Sequence, residues 1–288
     1  MRSLLFVPAG DPRRFAAALS SGADAVIVDL ENAATAGARE AARDFLIAAT
    51  KAAAAPRLFV RINALDSGRA DADLDAVMAA APAAIVLPKA MAGADVQHLG
   101  VKLAVREAEN GIADGATRIV VIAAETAASL FAMGTYAGAS RRLLGLAWSA
   151  ADLAADLGAE ASRLADGSFV PACLLARTLA LFGAAAAGVA AIDAVHPEDH
   201  DTARLRAECE AARRDGFTAK LAIDPRQVPV INEIFTPPPA AIARARAIIA
   251  AFAEHPDAVA IGLGKETLDR SHLQRAELML ARAASIKA

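Results

Sequence analysis

Eight short apolar runs, separated by longer helix-forming segments, constrain the fold of this chain more than any other feature. They read SLLFVP (3–8), DAVIVDL (24–30), RLFVRI (57–62), AAIVLPK (83–89), RIVVIAAE (118–125), LLGLAW (143–148), AAIDAV (190–195) and KLAID (220–224). Their apolar stretches are continuous, so each predicts a strand buried on both faces, the habit of a parallel sheet covered by helices. The segments between them, GAREAARDFLIAATKAAA and DTARLRAECEAARRDG among them, are rich in good helix formers at helical spacing. Eight strand–helix units predict an α/β fold, a (β/α)8 TIM barrel, with a doubly wound open sheet as the alternative. For that alternative the dinucleotide fingerprint is missing: IGLGKET carries only two of the glycines and fails the phosphate-loop spacing as well. A chain of 288 residues, 56% hydrophobic and 4% aromatic, suits one large unit with an alanine- and valine-rich core. The barrel is expected over residues 1–235. A C-terminal helical extension and lid follow over 236–288, where FTPPPAAIARARAIIAAF and RSHLQRAELMLARAASIKA predict two helices around the polar loop LGKETLDRS.

Charge and cysteine usage then exclude several classes. A formal net charge of -3 with scattered Lys and Arg argues against a nucleic-acid partner. Cys173 and Cys209 lie far apart in helix-like surroundings, so neither a disulfide framework nor a short-spaced metal cluster is expected, and a reducing cytoplasm is the simplest setting. No segment reaches the ~20 apolar residues of a membrane span. The Ala-rich stretch around Pro171 to Ala191 comes nearest, but Arg177 interrupts it and it reads as a buried helix.

In a barrel of this kind the chemistry sits where strands give way to the following loops. Five consecutive expected strands end in ionisable groups: Asp29 and Glu31, Arg61 (with Asn63), Lys89, Glu125, and Asp152. Any one of these could simply cap the next helix, as Thr126 also could. Taken together, Glu125 and Asp152 on neighbouring strand ends suit a hard divalent cation, and an oxygen-only site suits an Mg2+ that keeps several waters. His196 and His200, in VHPEDH, have a spacing one helical turn could use for a metal. The preferred reading makes Pro197, Glu198 and Asp199 a helix start with acidic residues at the positive end of its dipole. His98 and His255 carry no recognisable motif.

At these same residues the chain resembles a known family. RSLLFVPAGDPRRFAAAL, GADAVIVDLENA, VRIN, VLPKA, ETA, ADLAADLG, GFTAKLAIDPRQVPVINEIFTP and LDRSHLQRAELML follow one another as they do in the citrate lyase beta-subunit-like proteins of the HpcH/HpaI aldolase superfamily. The resemblance implies an Mg2+-dependent carbon–carbon lyase acting on a small 3-hydroxyacyl thioester such as malyl-, citramalyl- or citryl-CoA. It implies Glu125 and Asp152 as metal ligands and Arg61 as the group that holds the keto-acid part. Asp269 would be an acid/base carried over the barrel mouth by a neighbouring subunit, in a homo-oligomer expected to be a trimer. Asp29 and Glu31 are expected to hold metal-bound waters and to fix Arg61. Arg14 and Lys89 are further substrate-binding candidates, with Lys89 an ion-pair partner in preference to a Schiff-base nucleophile. A non-catalytic CoA-ligand or partner-binding paralogue and an aldolase on free keto acids are the alternatives. Three positions depart from the family's common pattern, Asn32, Ala151 and Asp224, and each changes the charge expected beside the site.

Overall fold

The computed structural model describes residues 1–33, 37–49, 56–197, 201–264 and 266–287. Eight parallel strands form a closed barrel: β1 Ser3–Pro8, β2 Ala25–Asp29, β3 Arg57–Arg61, β4 Ala84–Leu87, β5 Arg118–Ala124, β6 Leu143–Trp148, β7 Ala190–Asp193 and β8 Ala219–Ala222. β8 closes on β1 with Leu4 opposite Leu221. Every strand lies within two residues of the run that predicted it. The period of two explains why the runs needed no polar face. Leu4, Ile27, Phe59, Val86, Ile122, Ile192 and Leu221 fill the barrel interior, while Leu5, Val26, Val60, Ile85 and Val121 point outward into the layer under the helices. Full burial of such side chains is worth roughly 1.5–3 kcal/mol each relative to exposure.

The covering helices are α1 Pro12–Leu19, α2 Ala38–Ala49, α3 Ala70–Val77, α4 Gly93–Glu109, α5 Ala127–Leu130, α6 Ala150–Asp156, α7 Pro171–Ala187, α8 Thr202–Asp215 and α9 Val228–Phe235. Two of them begin directly at the mouth. Thr126 caps α5 by accepting from the Ser129 amide, and Ser149 caps α6 by accepting from the Asp152 amide. The chain therefore turns sharply after β5 and β6, which fixes the directions in which Glu125 and Asp152 leave the barrel. α8 starts later than expected, at Thr202 with Asp201 as its cap, so Pro197 does not begin it. Glu198, Asp199 and His200 lie outside the described residues, and with them the paired-histidine reading. His196 is buried and meets Glu208 at 3.1 Å.

Beyond α9 come α10 Pro239–Glu254, β9 Ala260–Leu263, β10 Glu266–Asp269 and α11 Arg270–Lys287. The polar stretch expected to be a loop is instead an antiparallel pair, with Thr267 opposite Gly262 and Asp269 opposite Ala260; Lys265 lies outside the described residues. These elements pack on one another through Ile248, Phe252, Ile261, Leu268 and Ala276, a cluster separate from the two apolar layers of the barrel. Among the described residues no helix is long and apolar enough to cross a membrane, and both cysteines are free and buried.

Candidate active site

The register of the barrel builds the centre of the mouth. Asp29 and Arg61 are the last residues of β2 and β3 and stand directly opposite one another. Their side chains close a bidentate pair, Arg61 Nε to Asp29 Oδ1 at 2.8 Å and Nη2 to Oδ2 at 2.6 Å. Nη1 meets Glu31 Oε2 at 3.0 Å, and the Phe6 ring lies 4.7 Å from the guanidinium carbon. A guanidinium has five N–H donors. Asp29 takes one each from Nε and Nη2 and Glu31 lies beside Nη1, so the count leaves donors on Nη1 and Nη2 for another acceptor. Burial alone would lower the Arg61 pKa, but Asp29, Glu31 and Glu125 outweigh it and hold the group above its usual value.

Lys89 follows β4 in the left-handed region, with φ 51°, a conformation that costs a non-glycine residue of the order of 1 kcal/mol or more. The turn has a visible use: it directs the Lys89 amide to donate to Glu125 Oε2. The Lys89 ammonium meets Glu31 Oε1 at 3.3 Å. Glu125 itself is 2% exposed. Burial, together with the charges of Asp152 and Glu31, pushes its carboxyl up to about 8 against the pull of the Lys89 amide and Arg61. Asp152 accepts from the Ser149 hydroxyl and borders the opening.

Four carboxylates, Asp29, Glu31, Glu125 and Asp152, thus face two cations, Arg61 and Lys89. The cations are engaged by Asp29 and Glu31, which leaves Glu125 and Asp152 without an ion-pair partner among the described residues. Two adjoining carboxylates without a cation are a fitting donor set for a hard divalent ion, which stays bound through few protein ligands plus waters. No cluster of three or more His, Cys, Asp or Glu side chains suited to a metal occurs among the described residues.

A hollow of about 310 Å3 opens beside these groups, lined by Phe6, Asp29, Arg61, Ile122, Trp148 and Asp152. Arg14 stands at its rim, mostly exposed and 3.5 Å from Asp11. Phe6 and Trp148 were missed as wall residues from the sequence; their places at the mouth end of β1 and β6 were the available signal. Asn32 and Ala151 line the same hollow. Asp224 carries its own cation, since Arg226 grips it at 2.8 and 2.9 Å. Asp269 is the one candidate that the chain does not bring to this centre. It lies on the extension, exposed, in contact with Ser271 and His272.

Residues 2–225 match the family described as HpcH/HpaI aldolase/citrate lyase. Over 279 residues the chain is 34% identical to a citrate lyase subunit beta-like protein of Mycobacterium tuberculosis, covering 97% of this chain and 94% of that one. It is 33% identical to a (3S)-malyl-CoA thioesterase of Cereibacter sphaeroides, covering 100% and 96%. A crystal structure of the M. tuberculosis protein CitE in complex with magnesium, acetoacetate and coenzyme A superposes with a TM-score of 0.74 at 33% identity, over 98% of each chain. Barrel, extension and sequence thus agree, and the chain belongs to the HpcH/HpaI aldolase/citrate lyase family.

Proposed function

We propose that this protein is an Mg2+-dependent carbon–carbon lyase that cleaves, reversibly, a small 3-hydroxyacyl thioester of the malyl-, citramalyl- or citryl-CoA class. The observation that carries this reading is the pair Glu125 and Asp152, without an ion-pair partner among the described residues, beside the Arg61 guanidinium held by Asp29 and Glu31. Relatives with magnesium, keto acids or coenzyme A in their structures support it.

Glu125 and Asp152 are the residues that would hold Mg2+. When bound, the cation supplies Lewis-acid polarisation of the substrate oxygen that becomes the keto group. Arg61 pairs its Nη1–Nη2 edge with the carboxylate of the keto-acid part, and Asp29 and Glu31 lock the guanidinium in that direction. Lys89 keeps Glu31 in place and fixes Glu125 through its amide. Arg14, at the rim, meets the polar remainder of the thioester. Cleavage withdraws the hydroxyl proton, breaks the carbon–carbon bond and leaves an enolate whose carbon must be protonated; Asp269, brought from a neighbouring subunit of a homo-oligomer, takes up the hydroxyl proton as a carboxylate and returns a proton to the enolate carbon as the acid so formed. The apolar wall of Phe6 and Trp148 restricts water on one side of the reacting carbon.

The thioesterase relative supplies a second reading, hydrolysis of the same thioester. A panel of malyl-, citramalyl- and citryl-CoA, with and without Mg2+, separates the two. A lyase releases a keto acid and a shorter acyl-CoA, whereas a thioesterase releases coenzyme A and the intact hydroxy acid. Absence of Mg2+-dependent release of either kind would overturn the proposal.

A further inference from the structure

Asp269 closes β10 and caps α11, and the contacts it receives fall unequally on its two oxygens. Oδ1 accepts from the amides of Ser271 at 3.0 Å and His272 at 3.2 Å, and from the Ser271 hydroxyl at 2.6 Å. His272 Nδ1 lies 2.7 Å from the same oxygen. Oδ2 accepts nothing among the described residues. An N-cap is complete with backbone amides alone, so the hydroxyl and the imidazole exceed what the helix requires. The tautomer follows from the distances. The Asp269 amide also points at Nδ1, at 3.2 Å, which would need a lone pair there; a lone pair held 2.7 Å from a carboxylate oxygen would be repelled. Nδ1 therefore carries the proton and donates to Oδ1. The Ser271 hydroxyl, the imidazole and the amides together hold the Asp269 carboxyl well below the usual range.

We infer that His272 is a positioning residue, which with Ser271 pins Oδ1 of Asp269 and leaves Oδ2 as the single oxygen that exchanges a proton with substrate. The inference rests on the proposal that Asp269 works in a neighbour's barrel. A carboxylate free to rotate presents either oxygen along many directions; one anchored through Oδ1 presents Oδ2 along one, and misdirection of a reacting group costs up to about 100-fold in rate.

Replacing His272 tests this, because asparagine places its amide nitrogen near the position of Nδ1 while leucine offers a similar bulk and no donor. With the Mg2+-loaded protein and cleavage of malyl- and citramalyl-CoA, His272→Leu is expected to lower kcat about 10- to 100-fold. KM and Tm should stay unchanged, and His272→Asn should recover most of the loss. Independently of turnover, carbon NMR of the Asp269 carboxyl should show its titration midpoint moving up in His272→Leu and back down in His272→Asn. A His272→Leu variant with unaltered kcat and an unaltered Asp269 midpoint overturns the inference. So does a His272→Asn variant as impaired as His272→Leu, which would make the imidazole itself the proton carrier. Full activity in Asp269→Asn would instead remove the shared-site reading beneath it.

Discussion

Arg61 was legible as a strand-end cation, with Asp29 and Glu31 as the groups that fix it, but which of the two takes the fork was not. That Asp29 takes the guanidinium fork depends on the register of β2 against β3, which sets the two residues opposite one another, and register is a property of the pair of strands that neither sequence run carries alone. The consequence is that Arg61 has two roles to lose. Arg61→Lys keeps the charge beside Asp29 but gives up the fork, so kcat/KM should fall on the order of 100-fold. Stability should fall as well, by roughly 1–2 kcal/mol, since a well-made buried pair becomes a poor one. Denaturant titration run beside saturation kinetics checks both; loss of activity at full stability would mean that Asp29 does not depend on the fork. Glu125 and Asp152 behave in the opposite way. Glu125→Gln and Asp152→Asn should each weaken Mg2+ binding more than about tenfold, measured by calorimetry, without lowering the metal-free Tm. A buried carboxylate pushed up to about 8 is a burden on the empty fold, and the amide relieves it. Wild-type Mg2+ affinity in both variants would dismiss the ligand pair.

Among the elements, the eight strands were readable because burial on both faces writes a continuous apolar run. The β9–β10 pair was not, because its strands of four residues pair only with each other among the described residues, leave most of their side chains exposed, and include Gly262 and polar residues. Lys220 shows a further limit. It lies on β8, fully buried, yet on the outer face, where it meets Asp193 at 3.0 Å and Glu208 at 3.6 Å. Asp193 also accepts from Trp148 Nε1 and Arg177 Nε, so the network ties β6, β7 and β8 to α7 and α8 behind the mouth. From the sequence, Asp193 and Lys220 were only polar residues within two short apolar runs. Glu208 gives this network a pH signature. Burial by itself would raise its carboxyl, but the hydrogen bond from His196, the charge of Lys220 and the hydrogen bond from Arg163 bring it down to about 2 from its ordinary 4.5. A carboxyl depressed on folding stabilises the protein fully above its unfolded pKa, and the benefit is lost as pH falls from about 4.5 through about 2. Glu208→Gln should therefore cost on the order of 2 kcal/mol at neutral pH, discounted for the part of the carboxylate that water still screens. The difference between variant and parent should shrink through that acid window. Denaturant titrations at neutral pH and at pH values down through the window measure it, and a pH-independent difference would show that the carboxylate's charge is not what stabilises this contact.

At the scale of the whole molecule, the separation of Asp269 from the barrel mouth is what makes the proposed function require an assembly. The extension has its own apolar cluster and holds Asp269 exposed on β10, while Asp29, Arg61 and Asp152 line one hollow and Glu31, Lys89 and Glu125 contact one another or Arg61 beside it. A head-to-tail ring in which each extension reaches over the next barrel would bring Asp269 to Glu125 and Asp152 without unfolding either unit. Such a ring makes a prediction that no single-chain site shares. Glu125→Ala and Asp269→Ala, each inactive alone, should restore activity when unfolded together in equal amounts and refolded. In randomly mixed rings a site is complete when its barrel comes from one parent and its extension from the other, which happens for about a quarter of sites. Recovery toward that fraction of wild-type activity, in rings shown by native mass spectrometry to contain both chains, is the expected outcome. Inactive mixed rings would confine Asp269 to its own subunit or remove it from the reaction. The Glu125→Ala, Asp269→Ala double variant mixed with wild type provides the control: there about a quarter of sites are wholly intact and about a quarter lack both groups, so activity per ring should be the same as in the cross-mixture only if the two residues come from different chains.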